Sequence, residues 1–176
     1  MTEDEIYIAI EATIKNFTDV TEDNILRAYP GKRVPLPPNN NYVIMTFTGD
    51  NRTSTPGFKD VEIEEDGQEK EYKTILEQPK QGQIQIDFFG TKAKENATKI
   101  VDLARSYILC DYLKTYNIQP LYCDEASNMN FVSEEKEYVE RWSITLDIAY
   151  QTKVEVNVDT FTSAELNILN YGDRNI

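Results

Sequence analysis

The sequence predicts an α+β fold, a mainly antiparallel sheet covered on one face by two main helices, with a protruding β-hairpin. Three observations lead there. In Gln83–Phe89, apolar Ile84, Ile86 and Phe88 alternate with Gln85, Asp87 and Phe89, the period of a strand with one buried face. Residues 136–151 hold that period longest, with Trp142, Ile144, Leu146, Ile148 and Tyr150 on one side and Arg141, Ser143, Thr145, Asp147 and Ala149 on the other. Ile6, Ile10, Ile14 and Phe17 recur at helical spacing. Links between strands are mostly short, which favours antiparallel neighbours, and helices on one face of such a sheet make a sandwich.

Thr2 and Glu5 form the capping-box pattern that opens a helix over 3–17. Thr21–Asn24 starts a shorter helical turn through Ile25, Leu26 and Tyr29, ended by Pro30-Gly31. Residues 35–41, Pro-Leu-Pro-Pro-Asn-Asn-Asn, suit neither a helix nor a central strand and form an extended connector. Tyr42–Thr48 is rich in strand formers, and a polar loop follows over 49–57.

Residues 58–77 form a hairpin that turns at Asp66-Gly67. Its arms are acidic, and only Val61, Ile63, Tyr72, Ile75 and Leu76 are suited to burial. Such an arm is either a solvated excursion or a surface that packs on a neighbouring subunit. Gly90 then permits a sharp turn, and Thr91 is placed to cap a helix over 91–105. Ala93, Ala97, Ile100, Val101 and Ala104 make one stripe of that helix, and Glu95–Lys99 is a favourable pair outside it. The helical pattern resumes through Tyr107–Leu113 after a bend near Ser106.

Pro120 makes 118–123 a short extended piece, an edge element or a strand start, and Asp124–Phe131 is a loop. Val154, Val156 and Val158 form a last strand. One domain is expected over 1–160, followed by a polar tail over 161–176. Trp142, Ile144, Ile86, Phe88, Ile100 and Ile10 are its expected core.

Composition narrows the function. The 31 acidic residues outnumber the 18 basic ones, which argues against a protein that grips DNA by its phosphates. An acidic wall around DNA is compatible with that balance. Cys110 and Cys123 stand outside any CxxC motif and are expected as buried free thiols. The acidic start, Met1–Glu5, lacks the apolar core of a secretory signal, and no apolar run is long enough to span a membrane.

Signatures of catalysis are missing. The chain has no histidine, which removes the commonest general base and metal ligand. No GxSxG elbow occurs. Gly90-Thr91-Lys92 lacks the upstream glycine of a phosphate-binding loop, because position 85 is Gln, and Ala93 follows the lysine. Glu64-Glu65-Asp66 lacks the ligand ladder of a calcium loop, and the cysteines lack partners for zinc. Arg141 and Trp142 face opposite sides of an alternating strand, so they make no recognition pair. No cofactor or metal is expected.

Four segments taken in order carry a resemblance: Asn41–Thr46; Gln83–Gly90 with Ala93 and Ala97 after it; Pro120-Leu121-Tyr122; and Tyr138–Leu146. Together they resemble the neck or tail-terminator proteins of long-tailed bacteriophages, over roughly residues 3–160. The resemblance implies a structural virion protein, assembled in the host cytoplasm and placed at the head–tail joint. It implies a homo-oligomeric ring, commonly a hexamer, that ends the tail tube. One face would meet the tail tube protein and the other the head completion or connector protein. DNA would pass through the lumen without specific binding. On that basis Phe58, Val61, Ile63 and Tyr72 are candidates for the subunit interface. Asp60, Glu62, Glu64, Glu65 and Asp66 are candidates for acids that face the lumen. The alternative from another class is a small acidic binding protein, such as a DNA mimic that inhibits a nuclease.

Overall fold

The structure, a computed structural model, describes residues 1–28, 37, 41–63, 71–132 and 138–158. Helix α1 (Glu3–Phe17) starts with the expected capping box: Glu5 N–H donates to Thr2 Oγ1 at 3.3 Å, and Thr2 N–H donates to Glu5 Oε2 at 2.7 Å. The next expectation fails. A single 3-10 turn, Glu22–Asn24, gives way at once to strand β1 (Ile25–Arg27). Ile25 and Leu26 pair in parallel with Val43 and Ile44 of β2 (Tyr42–Arg52). So short a helical turn makes few hydrogen bonds of its own, and a sheet edge supplies better ones. The expected stop at Tyr29–Gly31 and most of the connector over 35–41 lie outside the described residues.

Strand β2 also runs on through the start of the expected loop. Its ladder shifts by a bulge between Phe47 and Gly49 and then continues to Arg52. Gly49 sits at φ +145°, which a residue with a Cβ adopts only with strain.

Strands β3 (Gly57–Ile63) and β4 (Glu71–Phe89) make the largest departure from expectation. The hairpin and the strand expected at 83–89 are one element, because β4 is continuous over 19 residues. It runs through Pro79, which has no N–H to give to a ladder. The Pro79 carbonyl accepts from Thr53 N–H at 3.2 Å, so its backbone faces the gap where β2 ends and β3 has not begun. In an antiparallel ladder the N–H and C=O of one residue point the same way. The missing donor therefore falls where no strand needs it. Gln78 fills the gap, with Nε2 donating to Ser54 O at 2.7 Å. The turn expected at Asp66-Gly67 lies outside the described residues.

After β4 the chain turns at Gly90, at φ +98°. Helix α2 (Ala93–Ala104) begins later than expected, with Lys92 at its N-cap and no side-chain cap. Ala93 N–H bonds to Gly90 O at 3.0 Å, so Thr91 lies inside a tight turn and not at the cap position. The expected bend at Ser106 divides off a third helix, α3 (Tyr107–Lys114). The Glu95–Lys99 pair forms at 3.0 Å.

The remaining strands are β5 (Gln119–Cys123), β6 (Ser127–Asn128), β7 (Phe131–Val132), β8 (Tyr138–Val139) and β9 (Arg141–Val158). β6 lies within the loop expected over 124–131. The strand expected from 136 is interrupted at Glu140, and the last strand expected at 154–158 is the continuation of β9. β9 has 18 residues, so β4 is the longest strand. The main sheet has the order β1-β2-β4-β9-β5, with β3 beyond the end of β2 on β4 and β6 beyond β5 on β9. Pro120 lies on the edge strand, as expected.

All three helices pack on one face. Ile6, Ile10, Ile14, Ala97, Ile100, Leu109 and Leu113 meet Val43, Met45, Ile84, Ile86, Phe88, Ile144, Leu146 and Ile148 in one core. Ile144, Ile86, Phe88, Ile100 and Ile10 are buried as expected. Trp142 is only half-buried, because it sits at the start of β9 beside α2. Lys94 Nζ lies 5.3 Å from its ring centroid, and Trp142 Nε1 donates to Glu140 Oε1 at 3.1 Å. The opposite face is not simply solvated. Asp87 is 5% exposed and Phe89 8%. Arg141 spans Asp87 with two bonds, of 3.2 and 2.9 Å, and Tyr42 stacks on Phe89 at 4.5 Å.

Half-burial sets the expected cost of losing Trp142. Trp142→Ala should destabilise by about 2 kcal/mol, below the ~3–5 kcal/mol of Phe88→Ala in the closed core. Thermal melts of both variants check this, and an equal or larger drop for Trp142→Ala would contradict the half-buried site.

Candidate functional site

Past the helices, β3, β4 and β9 continue as a three-stranded arm. Its root is a small cluster shared by β2, β4 and β9. Asp50 takes a bond from Lys80 Nζ at 2.8 Å and another from the Tyr150 hydroxyl. The rings of Phe47 and Tyr150 close over Gly82, where an added Cβ would stand 3.0 Å from an atom of each. Glycine is thus what lets the rings pack across the strand. The Lys80 bond, then that from Tyr150, holds the Asp50 carboxyl below its usual range. Burial first, and then the bond to Asp50, pushes the Tyr150 hydroxyl up.

Beyond the root the two faces differ. Phe58, Leu76 and Val154 are direct cross-strand partners on the face that carries the helices elsewhere. No helix reaches them among the described residues, and Phe58 is 71% exposed, Val154 54% and Val156 44%. Lys59, Ile75 and Glu155 line up on the other face, with Val61 and Lys73 one step along.

The sequence candidates distribute accordingly. Phe58 is on the exposed apolar row, whereas Val61 is half-buried on the opposite face. Ile63 and Tyr72 belong to the ladder, paired with Glu71 and Glu62, and Tyr72 also with Val158. Asp60 is exposed and accepts from Thr74 Oγ1 at 2.6 Å. Glu62 is paired along the backbone, and Glu64, Glu65 and Asp66 lie outside the described residues. Val154 and Val156 were not singled out as surface residues. Their alternation is the pattern of a buried face, and only the position of the helices shows that no helix among the described residues covers them.

Many acids have local cations. Asp19 meets Lys92 and Lys99, Arg27 meets Glu11, and Arg105 meets Glu125, while on the arm itself Glu77 meets Lys153. Carboxylates neutralised in this way do not present the uninterrupted array that a DNA mimic requires. No group of three or more metal-ligating side chains comes together among the described residues. No helix among them is long and apolar enough to cross a membrane. An open groove of about 810 Å³ beside the root is lined by Glu5, Ile8, Lys80, Lys114 and Tyr150, among others. Both cysteines are free. Burial pushes the Cys123 thiol up to about 12, whereas Cys110 is only half-buried, contrary to expectation, because it lies on the outer side of α3.

The root has a testable pH signature. A carboxyl whose value is lowered by folding contributes stability above its ordinary value, ~3.9, and loses it as pH falls through the lowered one. Asp50→Asn should therefore lower the melting temperature at pH 7 and make a smaller difference near pH 3. Equal differences at both pH values would show that the charge of Asp50 is not what matters.

The geometry thus offers a protruding surface and no assembled reaction centre among the described residues. No curated protein matches the chain. The sequence model of a family described as phage neck terminator protein matches residues 8–172, which includes every strand of the sheet and the whole arm. With nearly its full length matched, the chain belongs to the phage neck terminator protein family.

Proposed function

We propose that this neck protein assembles into a closed ring, commonly a hexamer in such proteins, that ends the tail tube. One side of the ring would meet the tail tube protein and the other the head completion or connector protein, and DNA would pass through the lumen. The observation that carries the reading is the arm: three strands long enough to leave the helical layer, with Phe58 and Val154 exposed side by side on β3 and β9 across Leu76. Exposed apolar rows of this kind mark contact surfaces. A ring subunit needs two different patches, one for each neighbour, and closure follows from geometry alone. Family membership supports a structural role among other virion components. No residue is asked to perform chemistry.

The net charge of -13 supports passage without capture. A lumen with more carboxylates than bases repels the duplex, and screening over ~8–10 Å limits that repulsion to acids close to the channel. Asp60 and Glu62, together with Glu64, Glu65 and Asp66, are the proposed lumen acids.

Replacing 60–73 by a short Gly-Ser linker should leave a folded domain that no longer forms oligomers. Elution volume and electron microscopy of wild type and variant test this, and intact rings after the replacement would refute the role of the arm. The purified protein should also give no duplex shift at ~50 mM salt, where phosphate contacts are strong. A clear, salt-sensitive shift would replace passive passage with an active grip on DNA.

A further inference from the structure

We infer that the two outer edges of the arm pair with each other between neighbouring copies, β9 of one chain taking β3 of the next as a parallel strand. The inference rests on the ring reading above and deepens it by naming the contact.

The first support is the direction of the backbone groups. On β9 the carbonyls of Arg141, Thr145 and Gln151 point away from β4, where Met129 N–H, Asp124 N–H and the Met1 amino group reach them at 2.8, 3.0 and 3.1 Å. The β4–β9 register has no shift, so Lys153, Glu155 and Asn157 also point outward. β5 stops at the pair Gln119–Ala149 and Met1 covers Gln151, so these three have no ladder partner among the described residues. On β4 the Pro79 carbonyl points towards the β3 side, and so do Ile75 and Lys73. Lys59 and Val61 therefore turn towards β4, and Phe58 and Asp60 turn outward to a second edge that has no ladder partner among the described residues.

The second support is the match between these edges. β3 and β9 both run antiparallel to β4, so they run parallel to each other, and copies placed side by side present a parallel pair. Ile75 pairs with both Lys59 and Glu155, and Leu76 with both Phe58 and Val154. These residues stand at the same height on the two edges. With neighbours level, the Glu155 backbone reaches Phe58 and Asp60 of the next copy, the alternation a parallel ladder requires. Side chains agree with that register. Lys59 meets Glu155 on one face and Phe58 meets Val154 on the other, an opposite-charge pair and an apolar pair. Self-pairing is poorer in the registers centred on Asp60 and on Glu155. A two-fold contact centred on Asp60 sets Asp60 against Asp60, and one centred on Glu155 sets Glu155 against Glu155, and like charges directly opposite destabilise. A contact between two different edges is heterologous, and it closes into a ring when the rotation between neighbours divides a full turn.

The test is a double variant, Lys59→Cys with Glu155→Cys, in a Cys110→Ser background. Within one chain these positions are separated by β4, about 9–10 Å across two strand spacings. A disulfide spans at most ~7 Å between Cα atoms, so any link joins two chains. Oxidation should give a ladder of covalent oligomers ending at one closed species, while each single-cysteine variant stays monomeric on a denaturing gel. In reversed-charge variants, Lys59→Glu or Glu155→Lys alone should raise the half-assembly concentration at least about fivefold, and the two together should restore it. Rings of wild-type size without a covalent ladder would overturn the edge pairing and leave the ring reading standing. Covalent dimers from either single variant would overturn it in favour of a two-fold contact. A wild-type protein that stays monomeric at every concentration would overturn both readings.

Discussion

Everything in this molecule hangs on one ladder, the antiparallel pairing of β4 with β9. All 18 residues of β9 are paired with β4, from Arg141 opposite Phe89 to Val158 opposite Tyr72, with no shift of register. Side chains alternate strictly along such a pair, so a one-residue slip would turn every buried residue outward. Ile84, Ile86 and Phe88 against Ile144 and Leu146 make that slip too costly. The register set in the core is then imposed on the arm, where the side chains would specify it only weakly.

Length decides where the core ends and the surface begins. A strand rises ~3.3 Å per residue and a helix 1.5 Å. The 19 residues of β4 therefore extend about 60 Å, whereas the 15 of α1 cover about 20 Å. Three helices on one face cannot roof the whole sheet. The uncovered part keeps the alternation of a core strand but has no helical layer above it among the described residues. Phe58, Val154 and Val156 are what such strands leave at the surface. The root cluster of Phe47, Gly82, Tyr150, Asp50 and Lys80 joins three strands where the helical roof stops. It ties the arm to the body.

Ion pairs occur on both the body and the arm. The body neutralises acids locally, at Asp87 by Arg141 on the helix-free face and at Asp19 by Lys92 and Lys99. On the arm, Glu77 pairs with Lys153 at 2.9 Å, and Lys73 Nζ lies 4.0 Å from Glu155, a looser contact. The Lys59 and Glu155 positions stand level on opposite edges, so the arm carries opposite charges on its two edges.

Much of this was legible in the sequence, for reasons that are local. The capping box of α1, its Ile6–Ile10–Ile14 stripe, the turn at Gly90 and the phases of Gln83–Phe89 and Arg141–Tyr150 depend on residues a few positions apart. Periodicity and turn chemistry report such features directly. The four segments that carry the family resemblance are of the same kind, patterns of packing and turn. Tertiary structure alone decided the rest. Pro79 and Gly82 look like a break between a hairpin and a strand, yet they lie inside one strand. The proline faces the gap between β2 and β3, and the glycine is overlaid by two rings from distant segments. Ile25 and Leu26 became a strand because β2 offered an edge. Asp87 and Phe89 became buried on the polar side because Arg141 and Tyr42 cover them. Val154 and Val156 became surface because the helices end before reaching them. Each outcome turns on which distant segment lies alongside, and a period of two along the chain carries no information about that.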